Sequence, residues 1–299
     1  MVLSVANPVK SGEPRFVAPP HLKPSVPAGY PLHSLDQDQL QTLSLFRGTH
    51  LPQIKASLTG APLGNEDEWA NDEILVMFLK ATKWDLAASV TRLTTTMQWR
   101  RDFRPTELDT TSMDPNCAIG SQILHGFDRM GRPIMCSYPR LGSKHKDGDA
   151  SVKYSLYLIE KAIKMMPKGV TQILVLTDFT GSTLFNGFPP SVSIKFMNLL
   201  ATHYPERLGK MINYKPSWYL SFLFSVLGPF MDPDTKRKLV FISGKDAAGK
   251  KEYSASPETG GWFSSLQEFV DPDQLMEDFG GDSNYDFVPQ AYWDELVKV

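Results

Sequence analysis

The sequence predicts an α/β protein: a helical N-terminal lobe leads into a domain whose mostly parallel sheet alternates with helices. Three observations carry this reading. Helical periodicity dominates as far as Pro105, and strand and helix signals alternate after it. In addition, QILVLTD at 172–178 holds an unbroken apolar run, ILVL, at its centre. A strand apolar on both sides is one covered on both sides, as in a parallel sheet flanked by helices.

The elements follow in chain order. The opening segment, 1–34, carries Pro8, Pro14, Pro19, Pro20, Pro24, Pro27 and Pro31 with few aromatics. Such a stretch buries too little surface to offset its ordering entropy, so it is expected to be a disordered arm. The helical lobe is assigned to 35–108, opening with a polar helix pair from about Leu35 to Ser57. Asn71 then caps DEILVMFLKAT, and Asp85 caps a helix with Leu86, Val90, Leu93 and Met97 at helical spacing. Residues 109–299 form the α/β domain. Residues 123–138 read as strand, turn through Gly131, and strand. Val152, Leu156, Ile159, Ile163 and Met166 mark a helix that Pro167 stops, and a further helix runs from Ser191 to His203. A short strand is expected near Met211 to Tyr214, and another at KLVFIS, 238–243. Asp271 and Pro272 begin a last short helix that Gly280 and Gly281 end. Between the last two strands lies SWYLSFLFSVLGPFM, 217–231, apolar nearly all round. A short helix of that kind covers either a core or a cavity.

Composition narrows the function classes. A chain of 299 residues with 41% hydrophobic and 21% charged residues is an ordinary folded one. A formal charge of −2 gives no global field toward nucleic acid. Cys117 and Cys136 are too few for a disulfide framework or a zinc site and are expected to be buried and reduced, which suits a cytosolic chain. No apolar segment follows a basic start in the first 15 residues, so no signal peptide is expected, and the longest apolar run is too short to span a bilayer.

Catalytic signals fail one by one. GKDAAGKK at 244–251 fits a phosphate-loop spacing, but Lys251 stands where a magnesium-binding hydroxyl belongs, and loop composition follows where a helix is needed. A solvated basic loop is the expectation. The six histidines lack metal-ligand spacing, and His203 reads as a satisfied boundary residue. Asp178, ending an apolar strand with no base or nucleophile beside it, reads as a cap or loop anchor. The chain is not expected to be an enzyme or to hold a metal or cofactor.

Three stretches together resemble the CRAL-TRIO lipid-binding family: ILVMFLKATKWDLAASVTRLTTTMQWRRDF, FDRMGRPIM, and THYPERLGKMINYKPSWYLSFLFSVLGPFMDPDTKRKLVF. The closing GGDSNYDF resembles the family's terminal element. ATKW, THYPERLGK and the YW at 292–293 look most like the fungal phosphatidylinositol-transfer branch linked to azole tolerance, whose members also carry sterol. The resemblance spans about residues 35–295. It implies a sheet flooring a large apolar pocket, closed by a gate helix at about 217–231 bearing Phe222, Leu223, Phe224, Val226, Leu227 and Phe230.

By the same resemblance, Lys83, Thr235 and Lys238, with Glu206, meet the phosphate and ring hydroxyls of an inositol lipid. Ammonium groups neutralise a phosphodiester, while Thr and Glu bond hydroxyls. Two departures stand out. Thr82 replaces the arginine that precedes the lysine in the founding members. Met135, Ile173 and Val175 occupy positions where those members present a Tyr, a Ser and a Thr to phosphatidylcholine. The implied function is phosphatidylinositol transfer, with a second apolar ligand such as a sterol and weak phosphatidylcholine binding. The partners are membrane lipids met at a transient membrane surface, with no nucleic acid and a monomer favoured. The implied location is cytoplasmic and peripheral, at the endoplasmic reticulum, lipid droplets or plasma membrane. A different apolar cofactor such as haem, or a regulatory scaffold, are the alternatives on the same fold.

Overall fold

In the computed structural model, residues 35–109, 119–144, 148–216, 218–242, 262–263 and 265–299 are described. At Ser143, Lys144, Tyr219, Ser221, Phe230, Trp262 and Phe263 only the backbone is. The Pro-rich arm, Cys117 and the loop 244–251 lie outside the described residues.

The lobe begins with α1 (Gln37–Leu45), closed by a reciprocal cap in which Asp36 and Gln39 each accept the other's backbone N–H. The expected helix pair is instead one helical run. A π turn, Phe46–His50, joins α1 to α2 (Leu51–Ser57). The cause is Pro52, whose ring crowds the carbonyl four residues back in a regular α-helix. The ladder widens by one residue there, and the Leu51 N–H reaches the Phe46 carbonyl. Leu43, Phe46, Leu51 and Ile54 then face inward. After α3 (Glu66–Trp69) come α4 (Asp72–Ala81), capped by Asn71, and α5 (Leu86–Phe103), capped by Asp85, as the sequence predicts. Every residue of α4 from Ile74 to Leu79 is buried.

The domain that follows holds β1 (Gln122–Phe127), β2 (Pro133–Ser137), β3 (Ile173–Asp178), β4 (Leu208–Tyr214), β5 (Leu239–Ile242) and β6 (Trp262–Phe263). They form one sheet in sequential order, with β1 antiparallel to β2 and every later pair parallel. Helices α6 (Gly148–Met165), α7 (Pro190–His203), α8 (Trp218–Leu227) and α9 (Pro233–Arg237) fill the crossovers. Parallel neighbours added always on the same side, by right-handed crossovers, place their helices on one face. That face is the front. Ser155 of α6 bonds Gln122 there at 2.6 Å, and the Phe224 ring of α8 lies 5.9 Å from Phe241.

The rear face is covered by the C-terminal segment, where Leu266, Val270, Leu275, Met276 and Phe279 join the core. The helix expected at 271–280 is two 3₁₀ turns, Pro272–Gln274 and Glu277–Phe279. Chain reversal is the reason. Ser283 N–H donates to the Leu275 carbonyl, and a Cβ on Gly281 would sit 1.9 Å from that oxygen. A helix the sequence reading did not foresee, α10 (Pro289–Leu296), ends the described chain; the Tyr292 hydroxyl accepts the Leu124 N–H at 2.7 Å.

Lobe and domain are joined by charge. The Arg100 guanidinium reaches Glu160 of α6 at 2.8 Å, and the Tyr204 hydroxyl donates to the same oxygen at 2.6 Å. Arg92 donates to the Ala201 and Thr202 carbonyls at the end of α7, where a helix is electron-rich.

Candidate functional site

Alternation along the strands sets the floor. Met135, Val175, Met211 and Leu239 are neighbours across four strands and share the front face; Ser137, Thr177, Asn213 and Phe241 form the next row. Met135 and Ile173 are covered, whereas Val175 and Met211 stay half open although their strands are central. The helices above them are incompletely packed too. Among the described residues of α7 none is buried, and its Phe196, Leu199 and Leu200 are half-buried. A central strand and a helix of the same face thus both keep apolar side chains that are only half covered.

The apolar run predicted at 217–231 forms α8 and a 3₁₀ turn, Gly228–Phe230. It crosses the front of β4 and β5. Leu220 is buried with Phe179, Leu239 and Phe241, while Phe222, Leu223 and Phe224 pack only partly on that cluster. Val226 and Leu227 are half-buried as well. The Phe230 side chain lies outside the described set. A helix this apolar and this poorly buried resembles a cover more than a core element.

Polar groups gather where α8 returns to the sheet. Asp232 caps α9, accepting the Thr235 N–H at 2.8 Å and the Thr235 hydroxyl at 2.6 Å. Partial burial works against it, yet these bonds hold the Asp232 carboxyl below its ordinary value. One turn on, the Lys238 ammonium lies 3.7 Å from Glu206. Glu206 takes the left-handed conformation, φ 56°, uncommon for a side chain of its kind. Arg92 also acts on Glu206 and Asp232; its own pKa is lowered by burial and raised again by these two carboxylates. Glu206, Thr235 and Lys238 are thus brought together. Lys83 sits on the α4–α5 turn at φ 55°, and no described contact ties it to the other three. Sequence reading missed Arg92 and Asp232. The PDT run after Asp232 carries a cap signal; Arg92 reads as any exposed helix charge.

The two residues set aside earlier behave as expected. Asp178 accepts the Thr180 N–H at 2.9 Å and pairs with Arg140 at 2.6 Å, anchoring a loop. The His203 ring stacks on Trp99 with centroids 4.2 Å apart and bonds Thr96 through Nδ1, and burial holds its pKa at about 4. Beside it, between lobe and domain, is a small cleft of about 10 Å³ lined by Trp69, Met77, Arg100, Tyr204 and Arg207, with no residue of α8 in its wall. Among the described residues no group of three acidic, His or Cys side chains is placed to hold a metal, and no helix is long and apolar enough to cross a membrane.

A parallel sheet with a half-covered apolar front, a greasy covering helix and an ionic cluster at its exit has the layout of a lipid-binding domain. The chain belongs to the CRAL/TRIO domain family, a family of lipid-binding and lipid-transfer proteins, whose model matches residues 119–281. It is 30% identical to a CRAL-TRIO domain-containing protein of Schizosaccharomyces pombe over 77% of this chain and 21% of that one. It is 27% identical to the phosphatidylinositol transfer protein PDR17 of Saccharomyces cerevisiae, over 78% of this chain and 64% of that protein. The chain therefore spans less than two thirds of the curated relatives it matches first. The crystal structure of Sfh5 shares the fold, with a TM-score of 0.63 at 17% identity, covering 87% of this chain and 92% of that one.

Proposed function

We propose that this chain binds phosphatidylinositol and carries it between membranes, as a carrier and not an enzyme, working in the cytoplasm with transient membrane contact. The observation that supports this most is α8, an apolar helix whose Phe222, Leu223, Phe224, Val226 and Leu227 stay half-buried on the front of β4 and β5. Each methylene leaving hydrocarbon for water costs about 0.8 kcal/mol, so an unaided acyl chain faces a barrier on the order of 10 kcal/mol. A cover whose apolar side chains serve both the closed cavity and the bilayer interface lowers that barrier without consuming energy. In this reading Lys238 and Lys83 meet the phosphate, while Thr235 and Glu206 meet inositol hydroxyls. Mass spectrometry of the lipids that co-purify tests the ligand. Lys238→Ala is expected to lower phosphatidylinositol transfer between vesicles about tenfold to a hundredfold, the value of a charged hydrogen bond. Unchanged transfer in that variant sinks the headgroup assignment.

The floor residues support a second, largely apolar ligand, a sterol. Met135, Ile173 and Val175 offer a choline phosphate no hydrogen bond, and unmade polar contacts cost several kcal/mol. Phosphatidylcholine transfer is expected to be weak and to rise in an Ile173→Ser, Val175→Thr variant. Efficient phosphatidylcholine transfer by the wild-type chain would contradict this.

A further inference from the structure

The loop between β3 and α7 ends in two apolar side chains that touch little of the molecule. Phe185 is 93% exposed and Leu184 45%. A bare phenyl ring on a soft loop would fold back, because covering it is favourable. This loop is not soft. Thr183 N–H donates to Asn186 Oδ1 at 2.7 Å, Phe185 N–H to Thr183 Oγ1 at 3.2 Å, Asn186 Nδ2 to the Gly181 carbonyl at 2.9 Å, and Gly187 N–H to the Thr183 carbonyl at 3.0 Å. Its base is pinned as well. Asp178 accepts the Thr180 N–H, and the backbone at Gly142 approaches Phe188 so closely that a Cβ would lie 2.5 Å from the Phe188 nitrogen. The fold holds the ring out.

Its position is specific. β3 and β4 are parallel neighbours, with Asp178 opposite Tyr214, and the Phe179 N–H donates to the Tyr214 carbonyl. The two chains therefore leave the sheet side by side, one into the Phe185 loop and the other into α8. On the second branch Lys215 is exposed, its ammonium 5.0 Å from the Tyr214 ring centroid, and Trp218 at the start of α8 is 56% exposed. Phe, Leu, Trp and Lys on one rim is the composition of an interfacial anchor, with rings at headgroup depth and ammonium among phosphates. A protein partner recognises a broad complementary surface; a ring standing alone on a convex tip suits a fluid one.

We infer that the 180–187 loop, with Leu184 and Phe185 at its tip, inserts into the bilayer interface beside Trp218 and docks the chain with α8 against the lipid. This deepens the lipid-transfer reading and rests on it for the presence of a membrane. The test is sedimentation of the full chain with sucrose-loaded vesicles of phosphatidylcholine and phosphatidylinositol, with co-purified lipid measured in the same preparations. Phe185→Ser is expected to weaken vesicle partitioning about tenfold or more while leaving circular dichroism and bound lipid unchanged. Met130→Ser is the control. Met130 is also 55% exposed but lies in the β1–β2 turn, at the opposite end of the sheet, and is expected to partition as wild type. Equal partitioning of wild type and Phe185→Ser, an equal loss in Met130→Ser, or no vesicle binding by wild type overturns the docking surface. Loss of binding in Phe185→Ser in preparations that never carry lipid supports the surface and removes the transfer reading instead.

Discussion

Replacing Arg100 with Met is expected to destabilise the chain by about 3 kcal/mol, the cost of breaking a buried ion pair and leaving its carboxylate with only a more distant cation. Arg100 is 3% and Glu160 7% exposed, and their ion pair crosses from the helical lobe to the sheet domain. Deleting the guanidinium leaves Glu160 with the Tyr204 hydroxyl as its remaining described hydrogen-bond partner and Arg207 as a nearby cation, and empties the space over the Trp69 ring, where the guanidinium carbon sits 4.6 Å from the centroid. Urea denaturation measures the loss. The double variant Arg100→Met, Glu160→Leu is expected to regain part of it, because the apolar pair carries no desolvation cost of its own although Tyr204 and Arg207 lose Glu160. Equal stability of the single and double variants would show that lost packing, not the stranded charge, is what matters.

Acidification from pH 6.5 toward 4 is expected to weaken folding by an amount approaching about 3 kcal/mol through His125 alone. This histidine lies on the rear face of β1, its Nε2 bonded to Ser283 Oγ at 3.1 Å and its ring 4.7 Å from that of Tyr285. Burial pushes its pKa down to about 4, from the ordinary value of about 6.5. Between those two values the unfolded chain binds a proton that the folded chain refuses, so stability rises with pH across the window and falls as acid is added. His203, also near 4 from burial followed by Arg92 and Arg100, pulls the same way with less force because it is more exposed. Denaturant midpoints at pH 7 and pH 4.5 give the slope. His125→Gln is expected to flatten it clearly, and an unaltered slope in that variant would rule His125 out as the acid-sensitive group.

Much of the fold was legible in the sequence because its signals are local. Asn71 and Asp85 cap the helices they precede, and the unbroken apolar run within 172–178 lies in a strand buried at the centre of the sheet. The misses depend on distant partners. The PQAYWDEL stretch is short and mixes Gln, Asp and Glu with Ala, Tyr, Trp and Leu, with only Tyr292 and Leu296 buried, and Pro289 at its first turn was the clearest sign of α10. The strand expected near Met211 starts earlier, at Leu208, with the register shifting at Gly209, which lies against the end of the Arg132 side chain. At the site, Lys238 and Glu206 meet across 32 positions of chain, a pairing that the family resemblance implied and composition did not. Arg92 escaped notice because a helix-surface arginine has the same local signature whether it faces water or clasps another helix.

The rear of the sheet has a consequence for how the chain is made. Strands β1 to β5 are complete by Ile242, yet the side chains that shield their back come from residues 266 to 285, which are made after them. Until those residues arrive, the nascent sheet presents a bare apolar wall, the state in which chaperone capture and misassembly compete with folding. Residues 266 to 285 act as a latch, so truncation behind β6 is expected to yield an aggregating protein and not a smaller working one.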